Sequence, residues 1–241
     1  MALERLDRII SSQGMFSRKE AGKAIRDGRV TVNGKVIKDP SEKLDPASSG
    51  IAIDGKPFAY KKHIYLMLNK PAGVLSATTD SNSKTVLDLI PKVYKRNGLF
   101  PVGRLDKDTT GLMIITDDGD FAHKVISPKY GINKHYHAVV DGKITDEIIR
   151  TFATGVKLKD GFLCAPAELK VLDNGDNPLA EVVIKEGKYH QIKRMFAAAG
   201  LKVLALRRVK IGGLSLDNNL PEGECRELSK TEESLILRTD Q

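Results

Sequence analysis

The sequence has few of the residues that support several common kinds of site. It contains no Trp and only two Cys in 241 residues, and aromatic residues make up 5%. A row of stacking aromatics for single strands is therefore not expected, and the distant Cys164 and Cys225 suggest neither a disulfide framework nor a zinc site. No apolar run approaches the ~20 residues of a membrane span. Because the first residues also mix charges unlike a signal peptide, we expect a cytoplasmic protein.

Motifs of several enzyme classes are also missing. The chain has no Gly-x-x-x-x-Gly-Lys-Ser/Thr loop, no Gly-x-Gly-x-x-Gly, no His-Glu-x-x-His and no Gly-x-Ser-x-Gly. His135 and His137 have the spacing of half a metal site, but two histidines in a strand are more often surface or core residues. We therefore expect no metal ion and no cofactor.

Positive charge, by contrast, is present in excess. The net charge is +8, and residues 1–62 carry 13 Lys and Arg against 8 Asp and Glu, a net charge of +5. Such an excess indicates a polyanionic partner, with nucleic acid ahead of an acidic membrane. We expect a nucleic acid and no membrane.

The first 60 residues have the pattern of a small separate unit. Apolar residues at helical spacing predict a first amphipathic helix, and they are Leu3, Leu6, Ile9 and Ile10. Ser17 and Glu20 predict a capping box for a second helix, and Asn33-Gly34 predicts a hairpin. One face of the second helix carries Lys19, Lys23 and Arg26. This face either binds phosphate groups or is merely solvated, and the charge alone favours neither.

The remaining residues predict a mixed sheet with flanking helices. Apolar or alternating segments predict strands at 65–68, 112–116, 134–140, 179–184, 203–209 and 214–216. Helices are predicted at 85–90, from 117, at 145–152, and over an apolar stripe from Tyr189 to Ala199 that ends at Gly200. Strands and helices do not alternate regularly, so the predicted class is α+β.

Two polar stretches carry the chemistry that the sequence offers. Residues 103–112 place Arg104, Asp106 and Asp108 in a loop bracketed by glycines, between two apolar segments. We interpret Asp106 as a catalytic carboxylate and Arg104 as a contact to phosphate or base. A hairpin turn with solvated charges is the alternative. The second stretch opens the 187–200 helix with basic residues, which oppose the helix dipole and therefore indicate an anionic partner.

Residues 1–60 resemble the S4 RNA-binding domain. The matching residues are Arg5-Leu6-Asp7, Ser17-Arg18-Lys19-Glu20-Ala21, Ile25 to Lys35 and Asp54-Gly55. This family often has a Pro-Gly-Asp turn where the present chain has Ser48-Ser49-Gly50. The difference affects a loop and leaves the RNA-facing helix unchanged. The resemblance implies docking on structured RNA, and we assign this contact to Arg5, Arg18, Lys19, Lys23 and Arg26.

The rest of the chain resembles the ribosomal RNA pseudouridine synthases. The matching motifs are Asn69-Lys70-Pro71-x-Gly73, Gly103-Arg104-Leu105-Asp106, Asp108-Thr109-Thr110-Gly111-Leu112, Lys134-x-Tyr136 and Glu186 to Phe196. With the S4-like unit in front, the chain is most similar to the RsuA branch, which acts on small-subunit 16S ribosomal RNA. The resemblance implies an S4-like domain at 1–60, then a catalytic domain at 61–241 with a mixed, largely antiparallel sheet flanked by helices.

The resemblance also implies a reaction and the residues for it. Uracil is detached from C1′ of a uridine, turned and rejoined through C5, with no cofactor or metal. Asp106 is implied as nucleophile or charge stabiliser at C1′, with Lys193 as its counter-ion. Tyr136 is implied to stack on the target base, which must leave its helix. Further substrate contacts are assigned to Arg104, Arg194 and the apolar Leu214.

Other interpretations stay open at this point. The chain is alternatively an RNA-binding ribosome-assembly factor without activity, or a pseudouridine synthase for 23S RNA of the large subunit. A glycosidase-like hydrolase would need a second carboxylate as general acid, for which Asp108 is the near candidate. The intact Asp106, Tyr136 and Lys193 favour the synthase. We expect it to act as a monomer on ribosomal RNA or on the assembling small subunit.

Overall fold

The structure is a computed structural model that describes residues 3–238. By its internal contacts the chain divides into two compact units. One runs as far as Ile64 and includes Ile90–Leu99, and the other comprises Tyr65–Leu89 and the residues from Phe100 onward. Within residues 3–238 no helix is both long and apolar enough to cross a membrane.

The first unit combines two short helices with antiparallel strands. Its elements are β1 (Glu4–Arg5), α1 (Leu6–Ser12), α2 (Arg18–Arg26), β2 (Val30–Val32), β3 (Lys35–Val36), β4 (Lys43–Leu44), β5 (Ile51–Ile53), β6 (Lys56–Pro57) and a 3₁₀ turn at Lys92–Tyr94. Strands β3, β2, β5 and β6 form one sheet in this order, and β1 pairs with β4. Apolar side chains of both helices, such as Ile9 and Ile25, pack with Val30 and Ile53 into one core.

The local signals of this unit are confirmed, with one correction at its start. The capping box of α2 forms at Ser17, and the Asn33-Gly34 turn has the positive φ angles, 50° and 80°, that such a hairpin needs. The first helix begins at Leu6 and not at Leu3, because the two residues before it are extended and pair with β4. Leu3 is consequently 61% exposed.

The second unit is built on a large sheet. Its strands are β7 (Tyr65–Lys70), β8 (Phe100–Pro101), β9 (Thr110–Thr116), β10 (Lys134–Val140), β11 (Glu168–Asp173), β12 (Leu179–Ile184), β13 (Val203–Ile211), β14 (Leu214–Ser215) and β15 (Cys225–Glu227). Its helices are α3 (Gly119–Ile126), α4 (Asp146–Thr154), α5 (Gln191–Ala198) and α6 (Lys230–Ile236), with 3₁₀ turns at Val86–Leu89 and Pro128–Tyr130.

The nine strands form one mixed sheet, as the predicted α+β class requires. The order is β11-β12-β10-β13-β9-β7-β15, with β14 added to β13 and β8 to β9. Strands β9 and β13 pair in parallel, and the other described pairs of this sheet are antiparallel. Helices α3 and α6 cover apolar residues of β7 and β9, with Phe121 and Ile236 against Met67 and Ile114 in one cluster.

Strand β10 determines which side chains can meet at the site. Its residues alternate between buried and half-buried, so Tyr136 lies on the face opposite to the two histidines, as predicted. In the ladder, Tyr136 lies directly across from Arg208 of β13. The site described next is built around this pair and the loop before β9.

Candidate active site

Asp106 lies in the loop that joins β8 to β9. Gly103 opens this loop with a φ of 79°, a conformation that glycine adopts at little cost. The Asp106 side chain is 25% exposed, so it is accessible to a substrate without being fully hydrated. The backbone of the loop is held by a short turn, from the Thr109 amide to the Asp106 carbonyl at 3.1 Å, and by one long-range bond, from the Gly73 amide to the Lys107 carbonyl at 2.8 Å.

Lys70 supports the backbone of this loop from inside the protein. Its side chain is fully buried, and its Nζ donates to the carbonyls of Thr109 at 2.8 Å, Asp106 at 3.1 Å, Pro71 at 3.1 Å and Lys107 at 3.3 Å. Burial lowers the pKa of Lys70 to about 8, against the attraction of the nearby carboxylates. An ammonium group at the centre of these carbonyls therefore holds the loop in its turned form.

A buried hydroxyl group provides a second support. The Ser76 Oγ donates to the Leu105 carbonyl at 2.7 Å and accepts from the Leu105 amide at 3.0 Å. Both backbone groups of Leu105 are thus satisfied by one side chain. Because Leu105 precedes Asp106 directly, this pair of bonds restricts the position of the carboxylate.

Lys193 lies between two carboxylates. Its Nζ is 3.1 Å from Asp106 Oδ2 and 2.6 Å from Asp108 Oδ1. Partial burial lowers the pKa of Lys193, but the hydrogen bonds to Asp108 and Asp106 outweigh it, so the pKa is raised overall. The hydrogen bond from Lys193 also lowers the pKa of Asp108. His190 completes the group, with Nε2 at 3.4 Å from Asp106 Oδ1.

The helix that supplies Lys193 starts later than predicted. Helix α5 begins at Gln191, and His190 before it has a left-handed backbone with a φ of 49°. Tyr189 is consequently not part of the apolar stripe: it is 76% exposed and stacks on the His190 ring at 3.8 Å between centroids. The Gln191 side chain closes the turn by accepting from the Lys188 amide at 2.9 Å. This turn directs the His190 ring towards Asp106.

A small cavity of about 70 Å³ adjoins the Asp106 carboxylate. Tyr136, Ile184 and Leu206 contribute its less polar walls, and Arg104 lies at its edge. Thr109 also lines it, and its hydroxyl group is buried without a hydrogen-bond partner in the described part of the chain. A residue with a carboxylate and one with an aromatic ring therefore line one cavity, which suits a ligand with a flat ring and a polar sugar.

A second and larger cavity, of about 270 Å³, adjoins the first. Arg104, Tyr136, Gly187 and Lys188 line both cavities. The second is also lined by the buried Lys134 and Arg208. Burial lowers the pKa of Lys134 to about 8, with a smaller effect in the same direction from Arg208.

Two residues predicted to contact the substrate lie elsewhere. Leu214 is buried in the core cluster with α3 and α6, because the short hairpin after β13 turns it back opposite Ile211. It is not among the described residues that line either cavity, and Leu206 provides an apolar wall instead. Arg194 is paired with Asp160 and also donates to the Tyr189 carbonyl at 3.4 Å. The loop, Tyr136 and Lys193, by contrast, are brought together.

Four residues of the site were not assigned a role from the sequence. For Lys70 a signal existed, because a charged residue at the end of an apolar strand must find partners when it is buried. Lys134 shares its strand face with Tyr136 at a spacing of two, which is also a usable signal. His190 lies within the motif Glu186 to Phe196, but its approach to Asp106 depends on a left-handed turn, and Arg208 reaches the site through a strand pairing.

The first unit has a basic groove of its own, of about 470 Å³. Its basic lining residues are Arg5, Arg18, Lys19 and Arg26. Arg5 makes two hydrogen bonds to Asp7, at 2.8 and 3.1 Å, which lower the pKa of that carboxyl. Lys23, the fifth predicted contact, is exposed but is not among the lining residues.

Comparison with known proteins shows the family to which the chain belongs. A family model described as RNA pseudouridylate synthase matches residues 64–198, and the S4 domain model matches residues 4–48. The chain belongs to the RNA pseudouridine synthases. The synthase is therefore an isomerase with an S4 RNA-binding domain, and both resemblances inferred from its motifs are confirmed.

Similar proteins match the synthase over nearly its whole length. An uncharacterised RNA pseudouridine synthase of Bacillus subtilis is 44% identical over 97% of both chains. The ribosomal small subunit pseudouridine synthase A of Escherichia coli is 41% identical over 97% of this chain and all of that protein. A crystal structure of a pseudouridylate synthase covers 97% of this chain and 99% of its own, with 34% identity and a TM-score of 0.66.

Within residues 3–238, no group of three or more His, Cys, Asp or Glu side chains is arranged to hold a metal ion. The polar groups at Asp106 are instead a carboxylate, an ammonium and an imidazole. Such a set can hold a negative charge beside a reacting carbon and can bind a polar substrate.

Proposed function

We propose that this protein converts a uridine of small-subunit 16S ribosomal RNA to pseudouridine, with Asp106 acting at C1′ of that nucleotide. The observation that carries the proposal is the ion pair of Asp106 and Lys193, 3.1 Å apart, at a cavity walled by Tyr136. The choice of small-subunit RNA is supported by two relatives, 41% and 42% identical, that are ribosomal small subunit pseudouridine synthases by name.

The reaction sets clear demands on the site. The N1–C1′ bond breaks, a C5–C1′ bond forms, C5 loses a proton and N1 gains one, so no atom is added or removed. Positive charge develops at C1′ when the base leaves, and a fixed carboxylate stabilises it either by charge or by a covalent bond. Lys193 orients the Asp106 carboxylate and balances its charge, and the Lys70 and Ser76 contacts hold its backbone.

The target base must leave the RNA helix before the carboxylate can reach C1′. Tyr136 is positioned in the cavity wall to stack on the flipped base. Arg104 is exposed at the edge of both cavities, where a guanidinium group can occupy the vacated stack or bind a flanking phosphate.

The test is to map pseudouridine at single-nucleotide resolution after incubation with unmodified small-subunit and large-subunit RNA, free and in assembling particles. Asp106→Asn is assayed beside the wild type. We expect one new pseudouridine in small-subunit RNA that is absent with the variant, while the affinity for RNA is retained. If pseudouridine formed only in 23S RNA, the proposed reaction would hold but the proposed substrate would be wrong.

Two alternatives have distinct outcomes in the same assay. An assembly factor without activity would bind RNA tightly and form no pseudouridine in any RNA or particle. A hydrolase would release uracil and leave an abasic site. The hydrolase is disfavoured because Lys193 lowers the pKa of Asp108, whereas a general acid needs a raised pKa.

The organisation of the chain follows from the same proposal. Residues 1–60 would form the S4-like domain and residues 61–241 the catalytic domain, which acts in the cytoplasm as a monomer on RNA or on the assembling small subunit. Light scattering of the purified protein at assay concentration would test the monomer, and a mass of twice 26.4 kDa would contradict it.

A further inference from the structure

Two cations in the catalytic unit are buried without a carboxylate beside them. Lys134 is 8% exposed and Arg208 is 5% exposed. Lys134 Nζ reaches only the Lys185 carbonyl, at 3.4 Å. Arg208 makes one short bond to an oxygen, from Nε to the Leu112 carbonyl at 2.8 Å, with longer contacts to Tyr136 and Met113. In residues 3–238 neither side chain has an ion pair, so both depart from the usual pairing of buried charges.

Both cations line the 270 Å³ cavity, together with Tyr136. Arg104 and Lys188 also line it, and Glu186 is its one acidic lining residue among those described. Glu186 is already engaged, since its Oε1 accepts from the Ala165 amide at 2.9 Å and from the Gln191 side chain at 2.7 Å. The cavity therefore has a positive lining with unused hydrogen-bond donors, a combination suited to an anion.

We propose that this cavity binds a phosphodiester group of the RNA strand beside the target uridine, with Lys134 and Arg208 as its buried ligands. The proposal rests on the proposed function, because the target nucleotide defines which phosphate is adjacent. A neutral base cannot compensate two buried positive charges, and a metal ion would add to them, so a phosphate is the group of the substrate that fits.

The position of the cavity fits this assignment. Tyr136 lines both this cavity and the Asp106 cavity, so the two cavities adjoin at this residue. When C1′ of the target ribose faces Asp106, the phosphate groups attached to that ribose lie next to the Asp106 cavity. The adjoining cavity is therefore within reach of one of them. Phosphate contacts fix the register of a bound strand without reading its bases, and here such a contact would fix the ribose relative to the carboxylate.

The first test is the salt dependence of RNA binding, measured with unmodified small-subunit ribosomal RNA. Lys134→Gln should reduce the slope of log Kd against log salt by about one and lower kcat/KM, whereas Lys134→Arg should restore the slope. The matched control is Lys170→Gln, an exposed lysine on β11, which should change neither. An unchanged slope in Lys134→Gln, with its thermal unfolding intact, would overturn the proposal.

The second test alters the RNA as well as the protein. Short RNAs containing the uridine mapped above carry a neutral methylphosphonate at the linkage on either side of it. One of the two should lower kcat/KM of the wild type at least tenfold and have a much smaller effect in Lys134→Gln or Arg208→Gln, which have already lost the cation that contacts the phosphate. If the effects of the methylphosphonate and of the protein substitution on kcat/KM were additive, the cation would not contact that phosphate group directly.

Two further outcomes are distinguishable. If inorganic phosphate at constant ionic strength stabilises the wild type but not Lys134→Gln, and neither RNA test responds, the cavity binds a free anion and the proposal fails. If the wild type forms no pseudouridine on the unmodified RNAs, the proposed function is wrong. The salt slope of RNA binding still shows in that case whether Lys134 contacts a phosphate group.

Discussion

At the scale of single residues, the site depends on charges held close together with little water between them. Lys193 contacts two carboxylates, and they differ in exposure: the Asp106 side chain is 25% exposed and that of Asp108 is 74% exposed. Ion pairs of exposed groups contribute little, whereas those of shielded groups contribute more. The contact between Lys193 and Asp106 should therefore matter more for activity than the shorter contact with Asp108.

Lys193→Met should lower kcat by about 10- to 100-fold, the effect of removing one charge-assisted hydrogen bond of about 1.5–3 kcal/mol. Lys193→Arg should retain part of the activity because its charge remains. Asp108→Asn removes the other partner of Lys193 and should change kcat by less than about threefold, as expected for an exposed ion pair. Turnover of saturating RNA is the measurement, and a larger decrease in Asp108→Asn than in Lys193→Met would contradict the assignment.

Lys70 leads to a prediction about pH. Its pKa is about 8 in the folded protein and about 10.4 in an unfolded chain. Between these values the unfolded state binds more protons, so the free energy of unfolding attributable to Lys70 rises with pH, by up to about 1.4 kcal/mol per unit. Below pH 8 both states are protonated and the contribution is constant.

The measurement is urea unfolding of the wild type and of Lys70→Met across the pH range from neutral to about 10, which spans the two pKa values. The variant should be less stable throughout, since four carbonyls lose the hydrogen bond from Lys70. The wild type should gain stability relative to the variant as the pH rises above 8. A constant difference would indicate that Lys70 has an ordinary pKa.

At the scale of elements, the parallel pair β9–β13 joins the loop of Asp106 to the strand of Arg208. Gly111 lies directly beside Arg208 in this pair. A Cβ at Gly111 would lie 2.2 Å from the Arg208 carbonyl oxygen, and the φ of 99° disfavours any other residue. The close approach of these two strands therefore requires glycine at this position.

Gly111→Ala should lower the free energy of unfolding by about 3 kcal/mol or more, from backbone strain and from the clash with β13 together. The matched control is Gly119→Ala at the start of α3, where nothing lies within 4 Å of a Cβ. This control should be neutral or gain about 0.5 kcal/mol. Denaturant unfolding checks both, and equal stabilities would show that the two strands separate at little cost.

At the scale of the whole molecule, the proposed function assigns RNA docking to the first unit and the reaction to the second. The first unit offers a basic groove in which Arg5 is already paired with Asp7, while Lys19 and Arg26 have no ion pair within the described residues. The second unit contains the carboxylate. Binding and turnover should therefore be separable by mutation.

The double variant Lys19→Gln with Arg26→Gln should weaken RNA binding and reduce the salt slope by about two, one for each phosphate group that is no longer neutralised. Turnover at saturating RNA should be unchanged because Asp106 and its partners are intact. Lys35→Gln with Lys56→Gln, on exposed strands of the same unit, is the control for the change in net charge. If both pairs weaken binding equally, net charge and not the groove is responsible.

Much of this organisation could be predicted from local patterns. The capping box at Ser17, the Asn33-Gly34 turn, the alternation of β10 and the start of α4 after Thr145 each depend on residues within a few positions of one another, and the structure confirms them. The strand β11 and the helix α6 were missed. Strand β11 has three apolar residues among six and is mostly exposed, so its hydrophobic pattern is weak even though it pairs with β12.

The misplacement of Tyr189 has a local cause. The apolar pattern predicts Tyr189 within the helix, but its place depends on a left-handed turn at His190. A turn of this kind reverses the direction of a side chain without changing the apolar pattern around it. Periodicity alone therefore assigned Tyr189 to the buried face, whereas the structure exposes it.

The sequence by itself determined the family, the α+β class, the loop of Asp106 and the basic character of the first unit, because motifs, turns and charge are local or compositional properties. Only the tertiary structure decided that Lys70 supports the loop from a position 36 residues away from Asp106, and that Arg208 lies behind Tyr136, 72 residues away in the chain. Burial and strand pairing bring such residues together, and neither can be inferred from the spacing of residues along the chain.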